Sequence, residues 1–275
     1  MITIYYHLLD ESSLHFLKEQ NSINNTDFTL VTFKNLQEFN EILDISIKSV
    51  LRCTVNFIHD YLNCDKSLLN TSTIVYLQTK LYYDEDLNLY NCMQKINTHL
   101  MLNVGEFYPL KFMENLKLSE NTKLFIKPSS CLKYFDATLI NSEYYIGEYL
   151  TYNTFDYDIS NELCLIAPIK HIENESRFFV VNGKVITGSY YRINNIYSEI
   201  VINDTEEIFK ITQQYVDLFN PCKAFVIDLA LCNNQYKIIE YNPINCAGVY
   251  ASDYSKLIQK DGAYSLSSVD ILSLV

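Results

Sequence analysis

The sequence predicts an α+β protein with a larger C-terminal domain of antiparallel sheets and a smaller α/β N-terminal domain. Two β-hairpins predict the C-terminal sheets, because Asn-Gly at 182–183 and Asn-Asn at 233–234 each lie between two β-rich runs. Asn-Gly favours a type I′ turn, since both of its central residues take positive φ. Residues 1–104 instead mix short strands with helical periodicity, and we place the start of the second domain, 105–275, where this pattern becomes irregular.

In the N-terminal domain, residues 1–7 are predicted to form the first strand. Apolar residues then recur at steps of three and four from Phe39 to Leu51. This spacing predicts one amphipathic helix running toward Tyr61.

In the C-terminal domain, the first predicted strands are the apolar runs 123–127 and 134–140, and the first of these ends at a proline. A third run, 162–166, also ends close to a proline. A helix is predicted between the two hairpins, with Asp204 as its N-cap and an Asn-Pro pair at 220–221 as its end.

Composition argues against several classes of function. Hydrophobic residues make up 48% of the chain, enough for a packed core, and the formal net charge of −12 opposes binding to nucleic acid or to an anionic membrane. No stretch approaches the ~18 consecutive apolar residues of a membrane span, and the N-terminus lacks the pattern of a secretory signal. We therefore expect a cytoplasmic protein, in the host cytoplasm if the Tyr- and Asn-rich composition reflects the AT-rich genome of a phage or virus.

Eight cysteines are scattered along the chain, without a C-x-x-C pair or a histidine at zinc-binding spacing. A reduced cysteine beside apolar neighbours behaves as a small hydrophobic residue. We therefore expect free thiols and a reducing compartment.

The register of the first hairpin predicts a charged patch. A two-residue turn pairs the residues on either side of Asn-Gly, and counting outward sets Arg177 opposite Gly188 and Glu175 opposite Tyr190. Because side chains alternate across a strand, five of them are expected on one face. These are Glu173, Glu175, Arg177, Tyr190 and Arg192.

The second hairpin places two acids opposite each other. With residues 233–235 as a three-residue loop, Asp228 pairs with Glu240, and Asn242 follows on the same face. Like charges opposed across strands are destabilising, and a divalent cation between them removes the repulsion. Mg²⁺ prefers oxygen ligands and takes part of its shell from phosphate and water, so these three side chains are the predicted metal ligands.

An alternative interpretation of the acid pair stays open at this point. Asp228 is then an exposed residue in a simple salt bridge, or the register is off by one, which puts the two acids on opposite faces. The residue pattern alone favours neither interpretation.

With these residues identified, residues 105–260 resemble the ATP-grasp fold, and within it a largely phage and bacterial clade named for two arginines and a lysine. Four segments carry this resemblance. The first, Phe-Ile-Lys-Pro, is a weak signal alone; the last is fairly specific, and the four segments in this order are a strong signal. The four segments are Phe-Ile-Lys-Pro at 125–128 with Lys133 downstream, the hairpin at 175–192, Val-Ile-Asp-Leu-Ala at 226–230, and Ile-Glu-Tyr-Asn-Pro-Ile-Asn-Cys-Ala-Gly-Val-Tyr-Ala-Ser-Asp at 239–253.

The resemblance implies a nucleotide site whose antiparallel sheets sandwich the ATP. Lys127 and Lys133 would hold its phosphates as point charges. The backbone of residues 165–170, with Ile169 among them, would read the adenine, and Glu175 would bind the ribose hydroxyls.

The resemblance also implies the catalytic centre. Asp228 and Glu240 would bind ATP through the metal together with Asn242, in agreement with the register argument. A planar guanidinium fits a carboxylate substrate or an acyl-phosphate bidentately. The implied catalytic residues are Arg177, Arg192 and Lys133.

The implied activity is ADP-forming ligation of a carboxylate to an amine through an acyl-phosphate, with ATP and Mg²⁺ as cofactors and Mn²⁺ as a substitute ion. The substrates would be small molecules or peptides, and the protein a monomer or a homodimer. Two alternatives remain, a phosphotransferase on the same fold and a non-catalytic nucleotide-binding protein. Residues 128–133 contain no glycine, unlike the phosphate loops of many ATP-grasp enzymes, which leaves the mobility of this loop open.

Overall fold

The computed structural model of the protein describes residues 2–8, 28–113, 118–141, 160–253 and 256–257. The strands in this part are β1 (Ile2–His7), β2 (Phe28–Phe33), β3 (Ser49–Arg52), β4 (Glu106–Pro109), β5 (Lys123–Pro128), β6 (Thr138–Asn141), β7 (Leu163–Pro168), β8 (Asn174–Val181), β9 (Lys184–Ile193), β10 (Ile196–Ile202), β11 (Ala224–Cys232) and β12 (Gln235–Pro243). The α-helices are α1 (Leu36–Ile42), α2 (Val55–Asn63), α3 (Thr71–Lys80), α4 (Leu89–Lys95), α5 (Leu110–Met113) and α6 (Glu207–Leu218). Short 3₁₀ helices span Lys66–Leu68, Glu85–Leu87 and Thr98–Leu100.

The N-terminal part of the chain contains a parallel sheet in the order β2-β1-β3. Aromatic side chains fix its helices: Tyr5 of β1 meets Phe39 of α1 and Tyr76 of α3 edge to face, with ring centroids 5.6 and 6.1 Å apart. The predicted first strand is confirmed, and it lies at the centre of this sheet.

The single helix predicted from Phe39 toward Tyr61 is wrong. After α1, Asp44 Oδ1 accepts hydrogen bonds from the backbone N–H and the hydroxyl of Ser46, at 2.8 and 2.6 Å, and this turn ends the helical path. β3 then lies fully buried beside β1, and α2 begins only after its N-cap, Thr54. A buried strand and a helix both give apolar runs, so periodicity could not separate them.

A four-stranded antiparallel sheet in the order β4-β7-β5-β6 opens the C-terminal half. The strands predicted at 123–127 and 162–166 are confirmed as β5 and β7. The strand predicted at 134–140 begins only at Thr138, because residues 129–137 form the connection that we call the β5–β6 loop.

A five-stranded antiparallel sheet in the order β10-β9-β8-β11-β12 completes the fold. The predicted Asn-Gly turn is confirmed, with φ of 49° at Asn182 and 72° at Gly183. α6 lies against this hairpin, where Gln213 Nε2 donates to Gly183 O at 2.9 Å. The predicted N-cap Asp204 is wrong, since α6 begins after Glu206.

Buried hydrogen bonds fix the N-terminal sheet to the segment that follows β12. Arg52 Nη1 donates to the carbonyls of Ile244 and Asn245 at 2.7 and 3.1 Å, and Nη2 donates to Ala247 O at 2.8 Å. In return, Asn245 Nδ2 donates to Leu51 O and to the carbonyl of the last residue of α3, both at 2.9 Å. Residues of both halves therefore hold this segment in place, and its Ile244 and Ala247 pack in an apolar cluster with Ile4 and Val50.

All eight cysteines are free thiols. Within the described ranges, no helix is both long and apolar enough to cross a membrane.

Candidate active site

A cleft of about 930 Å³ lies between the four-stranded and the five-stranded sheet. Both sheets and the β5–β6 loop contribute to its lining. The structure therefore brings together in one cleft side chains that are far apart in the sequence. The predicted site residues that line it are Lys127, Lys133, Ile169, Glu175, Arg192 and Glu240.

Two lysines meet one carboxylate in this cleft. Lys127 of β5 forms an ion pair with Glu240 of β12, and Lys133 Nζ in the β5–β6 loop lies 3.6 Å from Glu240 Oε1. Lys127 is only 7% exposed. Burial, assisted by the nearby charge of Lys133, lowers the pKa of Lys127 to about 7. A poorly solvated ammonium of this kind is stabilised by any further anion that binds beside it.

Asp228 and Glu240 lie directly opposite each other, as predicted. The hairpin loop has two residues rather than the predicted three, and one extra residue in β12, Ile239, forms a bulge that restores the pairing. Asn242 Nδ2 lies 3.3 Å from Asp228 Oδ2 and 2.9 Å from Glu240 Oε1. The three predicted metal ligands therefore form one contiguous group.

Arg177 holds Asp228 in a bidentate pair, with Nε 2.8 Å from Oδ1 and Nη2 2.7 Å from Oδ2. Asp228 is 1% exposed, so the interpretation of this residue as an exposed acid is wrong. Burial disfavours the charge of Arg177, but the pair with Asp228 outweighs it, and the pKa of Arg177 lies above its ordinary value. The structure thus offsets the repulsion between the opposed acids with buried cations.

The predicted register of the first hairpin is wrong beyond its turn. Two bulges in β9 shift the pairing, so that Glu175 lies opposite Arg192 rather than Tyr190. Arg192 Nη1 donates to Glu175 Oε1 at 2.8 Å, and Tyr191 Oη donates to Glu175 Oε2 at 2.9 Å. Tyr190 packs instead against the apolar core, and Glu173 precedes β8.

Two tyrosines that were not among the predicted site residues lie beside Arg177. Tyr191 and Tyr250 stack with ring centroids 5.0 Å apart, and Arg177 Cζ lies 5.7 and 5.1 Å from these rings. Tyr250 has a φ of 53°, a strained value for a residue with a side chain, and such strain is typical of functional sites. The Gly-Val-Tyr motif is a signal for Tyr250, whereas Tyr191 reaches the site through a bulge that no sequence pattern marks.

A second cavity, of about 470 Å³, is lined by residues 6–8 and 52–55 together with residues of the five-stranded sheet and of the segment that follows it. Three cations line it, Arg52, Lys133 and Arg177, and no Asp or Glu occurs among the described residues of its lining. Cys246 also lines this cavity, and burial raises the pKa of its thiol, which is protonated at neutral pH. Lys133 lines both cavities and therefore connects them.

Asp228 and Glu240 could hold a divalent cation only if ligands from outside the protein completed its coordination. The donors of Asp228, Glu240 and Asn242 are oxygens, which Mg²⁺ prefers. Over the described residues, no group of three or more His, Cys, Asp or Glu side chains is arranged to hold a metal ion. Phosphate oxygens and water would therefore have to complete the shell of a bound Mg²⁺, which rarely has an all-protein site.

Ile169 lies just after β7 and is 42% exposed, in the same cleft. His171 from the same segment and Leu102 from the chain before β4 line the cleft with it. A lining that mixes apolar and polar side chains in this way suits a nucleobase.

The overall structure is similar in fold to solved ATP-grasp ligases. The D-alanine–D-alanine ligase from Bacillus anthracis complexed with ATP aligns with a TM-score of 0.56 and 14% identity, over 99% of this chain and 95% of that chain. The ATP-grasp ligase PsnB complexed with precursor peptide PsnA2 and AMPPNP aligns with a TM-score of 0.51 and 10% identity, over 91% of this chain and 90% of that chain. At these identities the similarity shows the fold, and it confirms the predicted fold class.

A search of curated proteins finds no match. A family of ATP-grasp domains, the second family of the clade named for two arginines and a lysine, matches residues 110–259, more than half of the chain. The resemblance deduced from the sequence motifs is thereby confirmed, and the protein belongs to this ATP-grasp family.

Proposed function

We propose that this protein is an ATP- and Mg²⁺-dependent ligase that joins a carboxylate to an amine through an acyl-phosphate. The observation that carries the proposal is the position of Lys133, which lines both the cleft between the sheets and the cation-lined cavity. A nucleotide in the cleft and an acid in the second cavity would meet at this side chain. A protein that only binds nucleotides has no need of the second, positively charged cavity.

The cleft suits ATP in size and charge. Its volume of about 930 Å³ lies within the range of pockets for small ligands. Lys127 and Lys133 supply positive charge for the phosphates, Glu175 supplies acceptors for the ribose hydroxyls, and Ile169 lies in the segment proposed for the adenine.

Asp228, Glu240 and Asn242 would hold the Mg²⁺, which supplies neutralisation of the β- and γ-phosphates. In the structure Lys127 pairs with Glu240 and Arg177 pairs with Asp228, so a bound Mg²⁺ would have to take carboxylate oxygens from these two cations. If Glu240 served as a metal ligand, the ammonium of Lys127 would be free to bind the phosphates. The protein then acts chiefly by positioning and by charge stabilisation.

The second cavity suits the acid. Arg52, Lys133 and Arg177 favour an anionic group there, and a guanidinium or an ammonium stabilises the charge that develops on a transferring phosphoryl group. The carboxylate oxygen attacks the γ-phosphorus and ADP leaves; the amine then attacks the carbonyl carbon and phosphate leaves. The protonated thiol of Cys246 favours this route over a thioester.

The similar structures support a ligase and allow either a small or a peptide substrate. One is a D-alanine–D-alanine ligase complexed with ATP, and the other is an ATP-grasp ligase complexed with a precursor peptide.

Hydroxylamine tests the proposal without knowledge of the natural amine. Purified protein with Mg²⁺, ATP, hydroxylamine and a panel of amino acids, peptides and other carboxylic acids is expected to release ADP and form a hydroxamate from the accepted acid. With ¹⁸O in that carboxylate, one ¹⁸O should appear in the released phosphate, because the attacking oxygen stays on phosphorus. Lys133→Met should abolish the signal, and the exposed Lys184→Met is the matched control.

Other outcomes of this assay favour the alternatives. A stable phosphorylated product without hydroxamate would identify a phosphotransferase instead. Nucleotide binding without ADP release across the panel would leave a non-catalytic nucleotide-binding protein.

Nucleotide binding is expected to take up protons at alkaline pH. Burial lowers the pKa of Lys127 to about 7 despite its pairing with Glu240, so in the free protein this lysine loses its proton as pH rises above 7, and a bound polyphosphate favours its charged form. Binding of Mg²⁺·AMP-PNP at pH 8 should then take up as much as about one proton, and affinity should fall as pH rises above 7. Calorimetric titration in two buffers of different ionisation enthalpy measures this uptake, and equal heats in both buffers would contradict it. Lys127→Met should abolish the difference.

A further inference from the structure

Five consecutive backbone N–H groups of the β5–β6 loop, those of residues 129–133, all donate to acceptors within the protein. The N–H groups of Ser129 and Ser130 donate to Leu163 O at 2.7 Å and to Glu162 Oε1 at 2.9 Å. Those of residues 132 and 133 donate to the hydroxyl and the carbonyl of Ser130, at 3.1 and 3.2 Å. Glycine-rich phosphate loops bind anions through such N–H groups, and here these five are already occupied.

The remaining N–H of the five, that of Cys131, donates at 3.0 Å to Asn88 Oδ1, 43 positions away in the sequence. Asn88 occupies the N-cap position of α4, yet its side chain makes no capping hydrogen bond there. The loop caps α4 in its place, since Leu89 N–H donates to Ser129 O at 2.8 Å and Tyr90 N–H donates to Ser129 Oγ at 2.9 Å. Each segment therefore satisfies backbone donors of the other.

We infer that Asn88 is a positioning residue for Lys133. Through the hydrogen bonds between Asn88, the start of α4 and the β5–β6 loop, the N-terminal half of the chain becomes part of the phosphate site. The inference rests on the proposed nucleotide site. Because the five N–H groups are occupied, this part of the loop presents charge to a phosphate through Lys133, and the location of that ammonium follows the loop. Cys131 and Leu132 are buried, and the ring of Tyr134 lies 4.8 Å from that of His59. The loop therefore contacts the N-terminal half of the chain at His59 as well as at Asn88.

Asn88→Ala removes the acceptor of the Cys131 N–H and is expected to weaken Mg²⁺·AMP-PNP binding about 3- to 10-fold, the usual effect of one hydrogen bond. Adenosine, which has no phosphate, should bind the variant and the wild type alike. Asn88→Asp keeps an acceptor oxygen and should restore most of the affinity. Asn91→Ala is the matched control, because Asn91 lies on the same helix and bonds Glu85 O at 2.9 Å. Calorimetric titration at one pH measures the affinity of each of the four proteins for both ligands.

The ratio of the affinity for Mg²⁺·AMP-PNP to the affinity for adenosine, in each variant and in the wild type, tests whether Asn88 acts on the phosphate site. Unchanged AMP-PNP binding in Asn88→Ala, or an equal loss for AMP-PNP and adenosine, would overturn the inference, since a general loss of structure affects both ligands. If Asn88→Ala does not fold, Ser129→Ala, which removes only the hydroxyl cap on Tyr90, should change the same ratio in the same direction. A wild type that binds neither ligand would overturn the proposed function, and the inference with it.

Discussion

Arg177→Met is expected to lower the free energy of unfolding by about 3–5 kcal/mol, because it leaves Asp228 as an uncompensated buried charge. Asp228 is 1% exposed and would lose both of its guanidinium hydrogen bonds. Denaturation with urea, analysed by linear extrapolation, measures the loss. Arg192→Met is the control. Because Arg192 is half-exposed in its pair with Glu175, this substitution should lower the free energy of unfolding by less than about 1 kcal/mol.

Removing both partners separates stability from catalysis. Arg177→Met with Asp228→Leu replaces the buried pair by apolar side chains and should recover most of the lost stability. Ligase turnover should stay undetectable in the double variant, because a proposed metal ligand and the guanidinium proposed for the acid are both absent. If Arg177→Met alone were as stable as the wild type, Arg177 would not be needed to compensate a buried charge on Asp228. Turnover in the double variant would remove both residues from the proposed site.

Local signals in the sequence were enough to predict much of the C-terminal half. The Asn-Gly turn fixed the start of the β8–β9 hairpin, since few residues adopt positive φ in succession. The prediction that Asp228 faces Glu240 is confirmed, although its derivation contained two errors that cancel. The loop is one residue shorter than predicted, and the bulge at Ile239 makes up the difference.

Bulges account for most of what the sequence did not predict at the site. Each bulge shifts a strand by one residue and turns the following side chains to the other face. Two such shifts in β9 bring Tyr191 over Arg177 and set Arg192 opposite Glu175. The extra residue of a bulge need not differ from its neighbours in strand propensity. Tertiary packing selects its position, so the spacing of residues in the sequence does not reveal it.

Contacts between distant segments were also beyond sequence reasoning. Arg52 bonds three carbonyls of the segment after β12, and Asn88 bonds the β5–β6 loop instead of its own helix. Both residues occur in stretches without a motif. Their roles follow from the way the N-terminal domain packs on the cleft, which one-dimensional patterns do not record.

ATP and Mg²⁺ are proposed to bind between the two sheets at Lys127 and Glu240. A ligand that binds only the folded protein, at about 100 times its Kd, adds ~2.7 kcal/mol of stability. For a chain of this size that corresponds to a rise of roughly 5–10 °C in Tm. Lys127→Ala with Glu240→Gln removes both members of the cleft ion pair without leaving an unpaired buried charge. Lys95→Ala with Asp86→Asn removes a more exposed lysine–carboxylate pair outside the cleft and is the control.

Thermal unfolding of these three proteins, with Mg²⁺·AMP-PNP and with AMP-PNP in EDTA, is therefore the most direct test. We expect a metal-dependent rise in Tm for the wild type and for Lys95→Ala/Asp86→Asn, and its loss in Lys127→Ala/Glu240→Gln. The absence of a rise in the wild type, or an equal rise in the cleft double variant, would contradict nucleotide binding at this site.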